Sequence, residues 1–163
     1  MVVYAGDSTS GGVTLSHANA TALTAGSVYH VILSVDMSDT GKRHFYINDV
    51  SDDRFSTGSY NDRNIPYSLT TASSVGSAFD GSAKTKAQVY DLYVNNAYID
   101  LSIEANRRKF ITADAKPAVM GSNGQNPTGS QPLIYFNGFN RFTNRGTAGS
   151  FTQYGTLTQG DSI

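Results

Sequence analysis

The chain of 163 residues contains no cysteine, no tryptophan and few charged residues. Without cysteine, disulfide bonds, thiolate catalysis and zinc–thiolate sites are excluded, so the fold depends on packing and hydrogen bonds. Charged residues make up only 15% of the chain, and its formal net charge is -1. The sequence therefore has no overall basic field that would recruit nucleic acid or an anionic membrane, and we expect neither as a partner.

Long hydrophobic runs are also absent. No stretch approaches the roughly 20 apolar residues of a membrane span, and the first seven residues lack the basic and apolar segments of a signal peptide. What the chain does contain is much Gly, Ser, Thr and Asn together with 10 Tyr and 8 Phe. This mixture is typical of short strands joined by many turns, and it predicts a mainly β protein.

Apolar alternation predicts a β-hairpin in residues 27–48. The first strand, 27–36, is followed by a polar turn at 37–41 and by a return strand at 42–48. A short strand is predicted within 67–79 and further strands at 86–94, 133–136 and 151–157, and 49–66 is interpreted as a long polar connection. The predicted core residues alternate along these strands: Tyr29, Val31, Leu33, Val35, Phe45, Ile47, Tyr90, Leu92 and Val94.

Residues 102–111 interrupt the β pattern and predict one short helix. Ser102 is a candidate N-cap and Glu104 lies in the first turn, where a negative charge complements the helix dipole. The basic cluster Arg107, Arg108 and Lys109 lies in the last turn, which prefers cations. The cluster is therefore either a contact for phosphate or an acidic partner, or simply the favourable charge at a helix end.

Three stretches carry a resemblance to a known family. The hairpin sequence GSVYHVILSVD, followed by HFYIND, and the later FDGSAKTKAQVYDLYV resemble concanavalin A-like, laminin-G-like sandwiches. The stretch from YIDLS at 98–102 through the Gly- and Pro-rich residues up to 132 resembles a tail found in bacteriophage structural proteins that carry such sandwiches. The resemblance covers residues 26–157 and implies an antiparallel β-sandwich of the concanavalin A-like jelly-roll kind.

The N-terminal region departs from that family. Only 26 residues precede the hairpin, where the family has several strands. The sandwich is therefore reduced, or the chain is a fragment, or a neighbouring subunit covers the exposed face. We expect one domain over 1–163, with 1–26 an extended or partner-contacting segment and 112–163 a loop-rich extension. An uncovered sheet edge invites pairing, so we expect a homo-oligomer or a larger assembly.

The inventory of chemical groups argues against an enzyme. Sandwich glycosidases of this superfamily generally use two carboxylates, commonly both Glu, on one strand, whereas Glu104 is the sole glutamate here. His30 and His44 fall on the same face of the predicted hairpin. If they lie close together they form a metal or pH-sensitive pair, and otherwise they are two polar side chains on a solvated or interface face.

Calcium is the ion that the resemblance makes most reasonable, because lectin-like sandwiches often bind it through loop oxygens. No EF-hand spacing is present, so a role in forming turns is favoured for the candidate aspartates and no cofactor is predicted, with Ca²⁺ as the alternative. The candidates in loops are Asp7, Asp52, Asp53, Asp62 and Asp80.

Exposed aromatic rings serve sugar binding and protein interfaces alike. The candidates for glycan or partner contacts are Tyr60, Tyr67, Tyr135, Phe139 and Phe142. We expect a non-enzymatic structural protein of a phage virion (a head decoration, fibre or tail part) that contacts other virion proteins. It would be made in the host cytoplasm without a signal peptide. The alternative is a lectin-like, carbohydrate-binding module that recognises a host-surface glycan.

Overall fold

The computed structural model describes residues 15–17, 22–36, 39–57, 89–138, 143–149 and 151–152. Over these residues the chain is mainly β, with antiparallel strand pairs and one short helix, which confirms the predicted class. The elements are β1 Leu15–His17, β2 Val31–Val35, β3 Arg43–Ile47, β4 Val50–Ser51, β5 Phe55–Thr57, β6 Leu92–Val94, α1 Glu104–Arg107 and β7 Ile134–Phe136. No helix within the described ranges is long and apolar enough to cross a membrane.

The chain divides into two compact units, each built from two stretches of sequence. The first unit comprises Met1–Pro66 and Ala97–Met120, and the second comprises Tyr67–Asn96 and Gly121–Ile163. In the first unit, β1 pairs with β5, and β3 lies between β2 and β4 in a three-stranded sheet. In the second unit, β6 pairs with β7.

The β2–β3 hairpin confirms the prediction for residues 27–48. Its strands are antiparallel, with Leu33 opposite Phe45 and Ser34 opposite His44. The polar turn is closed by the Asp36 amide, which donates to the Lys42 carbonyl at 2.9 Å. Inside the turn, a carboxylate oxygen of Asp39 accepts a hydrogen bond from the Gly41 amide at 2.8 Å, as short Asp side chains do in turns.

Part of the predicted connection at 49–66 is wrong, because β4 and β5 lie within it. Asn48 and Asp49 both have positive φ, 49° and 65°, and they join Ile47 directly to its partner Val50. Two central residues with positive φ make the two-residue hairpin turn that matches the twist of the flanking strands, and Asn and Asp tolerate this backbone conformation. The sequence signal for this second hairpin was the Asn-Asp dipeptide between two apolar residues.

The core of the first unit confirms two predicted residues and corrects two others. Phe45 and Ile47 are buried, as predicted, together with Leu101, Phe110 and Ile111. In contrast, Val31 is 41% exposed and Leu33 is 37% exposed, so their assignment to the core is wrong. The predicted core residues Tyr29 and Val35 are half-buried. The position of β2 explains its exposure, because β2 pairs on one side only among the described residues.

The predicted helix exists but is shorter than 102–111. α1 spans Glu104–Arg107, and its N-cap position is occupied by Ile103, which makes no side-chain capping bond. Ser102, the predicted cap, instead directs both its amide and its hydroxyl to the Asp100 carboxylate. Glu104 in the first turn and Arg107 in the last turn match the dipole argument. After the helix, the chain folds back so that Ile111 bridges Pro117.

The second unit is organised around β7, which lies within the predicted strand 133–136. The side chain of Asn144 supports it, because its oxygen accepts from the amides of Tyr135 and Gly146 and its nitrogen donates to the carbonyls of Leu133 and Ala148. Within the described part of the predicted strand 86–94, only Leu92–Val94 is strand, and the predicted core residues there are half-buried. The prediction at 67–79 and residues 153–157 lie outside the described residues, and Phe151 and Thr152 are not in a strand.

Residues 121–132 lie in the loop-rich extension predicted for 112–163 and are irregular in the structure, with glycines where the backbone needs positive φ. At Gly124, φ is +76° and a Cβ atom would lie 2.9 Å from the Tyr135 ring. This glycine therefore allows the loop to pack directly on β7. The glycine content of this stretch is therefore explained by backbone turns and close packing.

Candidate interaction surface

The outer edge of β2 is a candidate interaction surface because of where its backbone groups point. The Asn48 amide donates to the His30 carbonyl and the Asp36 amide donates to the Lys42 carbonyl, both at 2.9 Å. In an antiparallel pair the residues that bond to the partner alternate with residues that do not. The even-numbered residues of β2 therefore bond to β3, and the amides and carbonyls of Val31, Leu33 and Val35 point to the opposite edge.

Four of the five side chains of β2 are apolar and none carries a charge. β2 reads Val-Ile-Leu-Ser-Val, and no other strand among the described residues pairs with its outer edge. Edge strands of monomeric proteins are commonly protected by lysine, proline, a bulge or an inward-pointing charge. None of these protective features occurs within Val31–Val35. We define the outer edge of β2 together with the exposed side chains of Val31 and Leu33 as the β2 edge surface.

The face of the hairpin that carries Ser34 and His44 contacts the segment that follows residue 97. The Ser34 hydroxyl accepts a hydrogen bond from the Ile99 amide at 3.0 Å. Opposite Ser34, His44 Nε2 lies 2.9 Å from the Tyr98 hydroxyl oxygen and 3.3 Å from an Asp100 carboxylate oxygen. This face already has its own chain packed on it, whereas among the described residues no strand covers the β2 edge surface.

Charges near this cluster act on Tyr98 and Asp100. Burial raises the pKa of Tyr98, and the nearby carboxylates of Asp100, Asp36 and Asp39 raise it further. The two hydrogen bonds from Ser102 lower the pKa of Asp100, with a smaller contribution from His44. Tyr98 therefore stays a neutral hydroxyl and Asp100 stays a carboxylate over the ordinary pH range, so the cluster is suited to fixing structure.

Two residues of the predicted basic cluster are engaged within the chain. Arg107 Nε and Arg108 Nη1 each lie 2.7 Å from a different carboxylate oxygen of Asp49, and the Arg107 guanidinium lies 4.8 Å from the centre of the Tyr46 ring. Burial alone would raise the pKa of Asp49, but the hydrogen bonds from Arg108 and Arg107 outweigh it and lower that pKa. Arg107 and Arg108 thus tie α1 to the turn after β3, while Lys109 is exposed.

Of the aromatic candidates, only Tyr135 lies within the described residues. It is 5% exposed, and burial raises the pKa of its hydroxyl, followed by the charge of Asp91. Its ring is therefore not presented as an open platform for a sugar. The other candidates, Tyr60, Tyr67, Phe139 and Phe142, lie outside the described residues.

The candidate ion ligands have other roles where they are described. One Asp53 carboxylate oxygen accepts from the Phe45 amide at 2.5 Å and the other from the Ser51 hydroxyl, while Asp52 is buried and lies 3.8 Å from Arg54. Asp7, Asp62 and Asp80 lie outside the described residues. The described part of the chain contains no group of three or more His, Cys, Asp or Glu side chains arranged to hold a metal ion.

The two histidines of the hairpin are not neighbours. His44 pairs with Ser34, and His30 lies four positions before Ser34 on the same strand. Four residues of extended chain span about 13 Å, which is too far for a shared metal ion or a shared proton. Of the two alternatives, the close pair is therefore excluded, and His30 and His44 are two separate polar side chains.

Val31, Leu33 and Val35 were assigned to the core and were missing from the predicted site residues. The signal that could have singled them out is the run of five residues without charge, proline or glycine in the first strand of a hairpin with few strands before it. No family model, curated protein or solved structure matches the chain.

Proposed function

We propose that this chain is a non-enzymatic structural protein that works by packing against other protein subunits. The β2 edge surface is the observation that carries the proposal. It combines outward-pointing backbone groups with an uncharged apolar strand, which is the pattern that pairs with another chain. The setting is the one that the sequence resemblance implies, a phage virion, in which the chain serves as a head decoration, fibre or tail part.

The energetics of the exposed side chains support this proposal. Burying a Leu or Val side chain fully contributes about 1.5–3 kcal/mol, so covering the exposed fractions of Val31 and Leu33 contributes on the order of 1 kcal/mol each. A lone chain forgoes this contribution, whereas an assembled chain gains it together with the edge hydrogen bonds. Virion subunits remain assembled, so the surface would be covered throughout their working life.

A β-sandwich is part of the same proposal. Every residue of β3 is buried, although β3 belongs to a sheet of only three strands among the described residues. Burial on both faces is expected of a strand that lies inside a layered β fold. In the proposed architecture the hairpin contributes an inner strand, and pairing along β2 extends its sheet.

The test is the absolute mass of the full chain in solution by light scattering over a wide range of concentrations, with circular dichroism on the same samples. A folded species whose mass is a multiple of 17.4 kDa supports the proposal. A folded chain that stays at 17.4 kDa at every concentration contradicts it and shifts weight to the glycan-binding alternative, which glycan-array binding would then examine.

A further inference from the structure

The partner that best fits the β2 edge surface is a second copy of the same strand. We propose that β2 of one chain pairs antiparallel with β2 of another about a two-fold axis that passes beside Leu33. The inference rests on the proposed function, for which it names the partner. Three features of the strand carry it: the direction of its backbone groups, the pattern of its apolar side chains and the polar residues that flank them.

The backbone groups select the register. In the proposed pairing, Leu33 lies opposite Leu33 of the second copy, and Val31 lies opposite Val35 of the second copy. All of these residues direct their amide and carbonyl groups away from β3, as the bonds of His30 and Asp36 establish. Each opposed pair can therefore exchange two backbone hydrogen bonds. A slip of one residue would set these groups against residues whose own groups are already bonded to β3.

The side chains are self-complementary in the same register. Residues opposite each other in a sheet point to the same face, so Val31, Leu33 and Val35 of both copies form one continuous apolar stripe. A two-fold axis requires the same patch on both chains to fit itself, and a central Leu flanked symmetrically by two Val residues meets this condition. The three-stranded sheet of each copy becomes one continuous sheet across the dimer.

The polar residues that flank the strand also match in this register. The register that places Leu33 on the axis also places His30 opposite Asp36 of the second copy, on the face away from the apolar stripe. Directly opposed side chains in a sheet lie about 4.5–5.5 Å apart at Cβ, which is close enough for an imidazole and a carboxylate to interact. Asp36 also lies 3.2 Å from Lys42 of its own chain.

The absence of cysteine makes the register directly testable by crosslinking. In Leu33→Cys the two thiols of the proposed dimer would face each other across the axis, with Cα atoms about 5.5 Å apart. The matched control is Val50→Cys, which places a thiol at a 66% exposed position on β4 of the same sheet, far from the axis. Each full-length variant is treated with a short bismaleimide, and the products are separated under denaturing conditions.

We expect Leu33→Cys to give a covalent dimer, at twice 17.4 kDa, with a yield about tenfold or more above that of Val50→Cys, because pairing raises the effective thiol concentration. A second experiment fixes the register. Val31→Cys mixed with Val35→Cys should crosslink, whereas either variant alone should crosslink poorly because its two thiols lie about 13 Å apart along the strands. If circular dichroism shows that Leu33→Cys does not fold, the mixture of Val31→Cys and Val35→Cys still tests whether β2 pairs with β2 of a second copy.

Equal yields from Leu33→Cys and Val50→Cys, or no dimer from either, would overturn the proposed pairing. Efficient crosslinking of Val31→Cys alone would overturn the antiparallel register. Light scattering of the unmodified chain separates these failures from failure of the proposed function. An oligomer without the Leu33 crosslink would contradict only the β2–β2 contact. A folded monomer would contradict both this contact and the proposed function.

Discussion

The two strands of the β2–β3 hairpin have similar apolar alternation in sequence but differ in how deeply their side chains are buried. Every residue of β3 is buried, whereas no residue of β2 is fully buried and two of its apolar side chains are exposed. Leu33 and Phe45 lie directly opposite each other, yet Leu33 is 37% exposed and Phe45 is completely buried. Alternation in a sequence therefore indicates which residues share a face, while the place of the strand in its sheet decides how deeply that face is buried.

The neighbours of each strand explain the difference. β3 has β2 on one side and β4 on the other, and Tyr46 on one face is covered by the Arg107 guanidinium. β2 has a strand neighbour on one side only among the described residues. Its even-numbered face contacts Ile99 through Ser34, whereas Val31 and Leu33 on its odd-numbered face are exposed.

Replacing Phe45 or Leu33 by alanine should give the largest difference in the free energy of unfolding between the two strands. We expect Phe45→Ala to lower the free energy of unfolding by about 3–5 kcal/mol, since it leaves a large cavity at a fully enclosed site. Leu33→Ala should lower it by only about 1–2 kcal/mol when measured by urea denaturation at protein concentrations too low for association, because part of that side chain already contacts water. Equal costs at the two positions would show that the β2 face is enclosed by the chain itself.

The second prediction concerns the ionic contact that holds α1 against the end of β3. Asp49→Asn keeps a residue that tolerates the positive φ at this position but removes the charge between Arg107 and Arg108. We expect a loss of about 1–3 kcal/mol, as for hydrogen bonds to charged groups that are partly buried. The matched control is Lys116→Met, which removes an exposed ion pair with Asp114 and for which we expect a far smaller change.

The pH dependence of the Asp49 contribution has a definite sign. The folded chain lowers the pKa of Asp49 below its ordinary value, so the unfolded chain binds a proton first as the solution becomes acidic. The stabilisation is therefore complete above the unfolded pKa of about 3.9, and it is lost as pH falls through the lower folded pKa. Urea denaturation should find the difference between wild type and Asp49→Asn constant near neutral pH and shrinking at acidic pH. A difference that does not change with pH would mean that the carboxylate charge is not what Asp49 contributes.

These contacts mark the limit of what the sequence could predict. The alternation of residues 27–48 sufficed for the hairpin, because pairing between adjacent strands is local. The bond between Arg107 and Asp49 joins residues 58 positions apart, and the contact between His44 and Tyr98 joins residues 54 apart. No local pattern encodes such pairings, since they depend on how the segment after residue 97 lies on the hairpin. For the same reason the basic cluster could be interpreted as a partner contact when two of its members bind within the chain.

Removal of the Tyr98 hydroxyl should have a smaller effect than removal of the Asp49 charge. We expect Tyr98→Phe to cost about 0.5–1.5 kcal/mol at neutral pH, the net contribution of one hydrogen bond, because His44 keeps Asp100 within reach. The pKa of Tyr98 is raised in the folded chain, so the folded chain retains this proton to higher pH than the unfolded chain does.

The stabilisation from Tyr98 is therefore complete below its unfolded pKa of about 10, and it is lost as pH rises through the higher folded pKa. The free energy of unfolding measured by urea denaturation should fall on the alkaline side less steeply in Tyr98→Phe than in wild type. Identical alkaline profiles for the two chains would show that the Tyr98 hydroxyl does not hold the 98–102 segment to β3.

The smallest effect on the lone chain is expected at Val31, and it is the sharpest test of the exposed face of β2. Val31→Thr keeps the β-branched shape that suits a strand, so the free energy of unfolding of the monomer should change by about 0.5 kcal/mol or less. The same hydroxyl would lie inside the apolar stripe of the proposed dimer, so light scattering should find dimers only at higher protein concentration. Val50→Thr, on β4, is the matched control and should change neither quantity. A side chain that already contacts water costs little free energy when it becomes polar. Destabilisation of the monomer by more than about 1 kcal/mol would therefore place Val31 in the interior of its own chain.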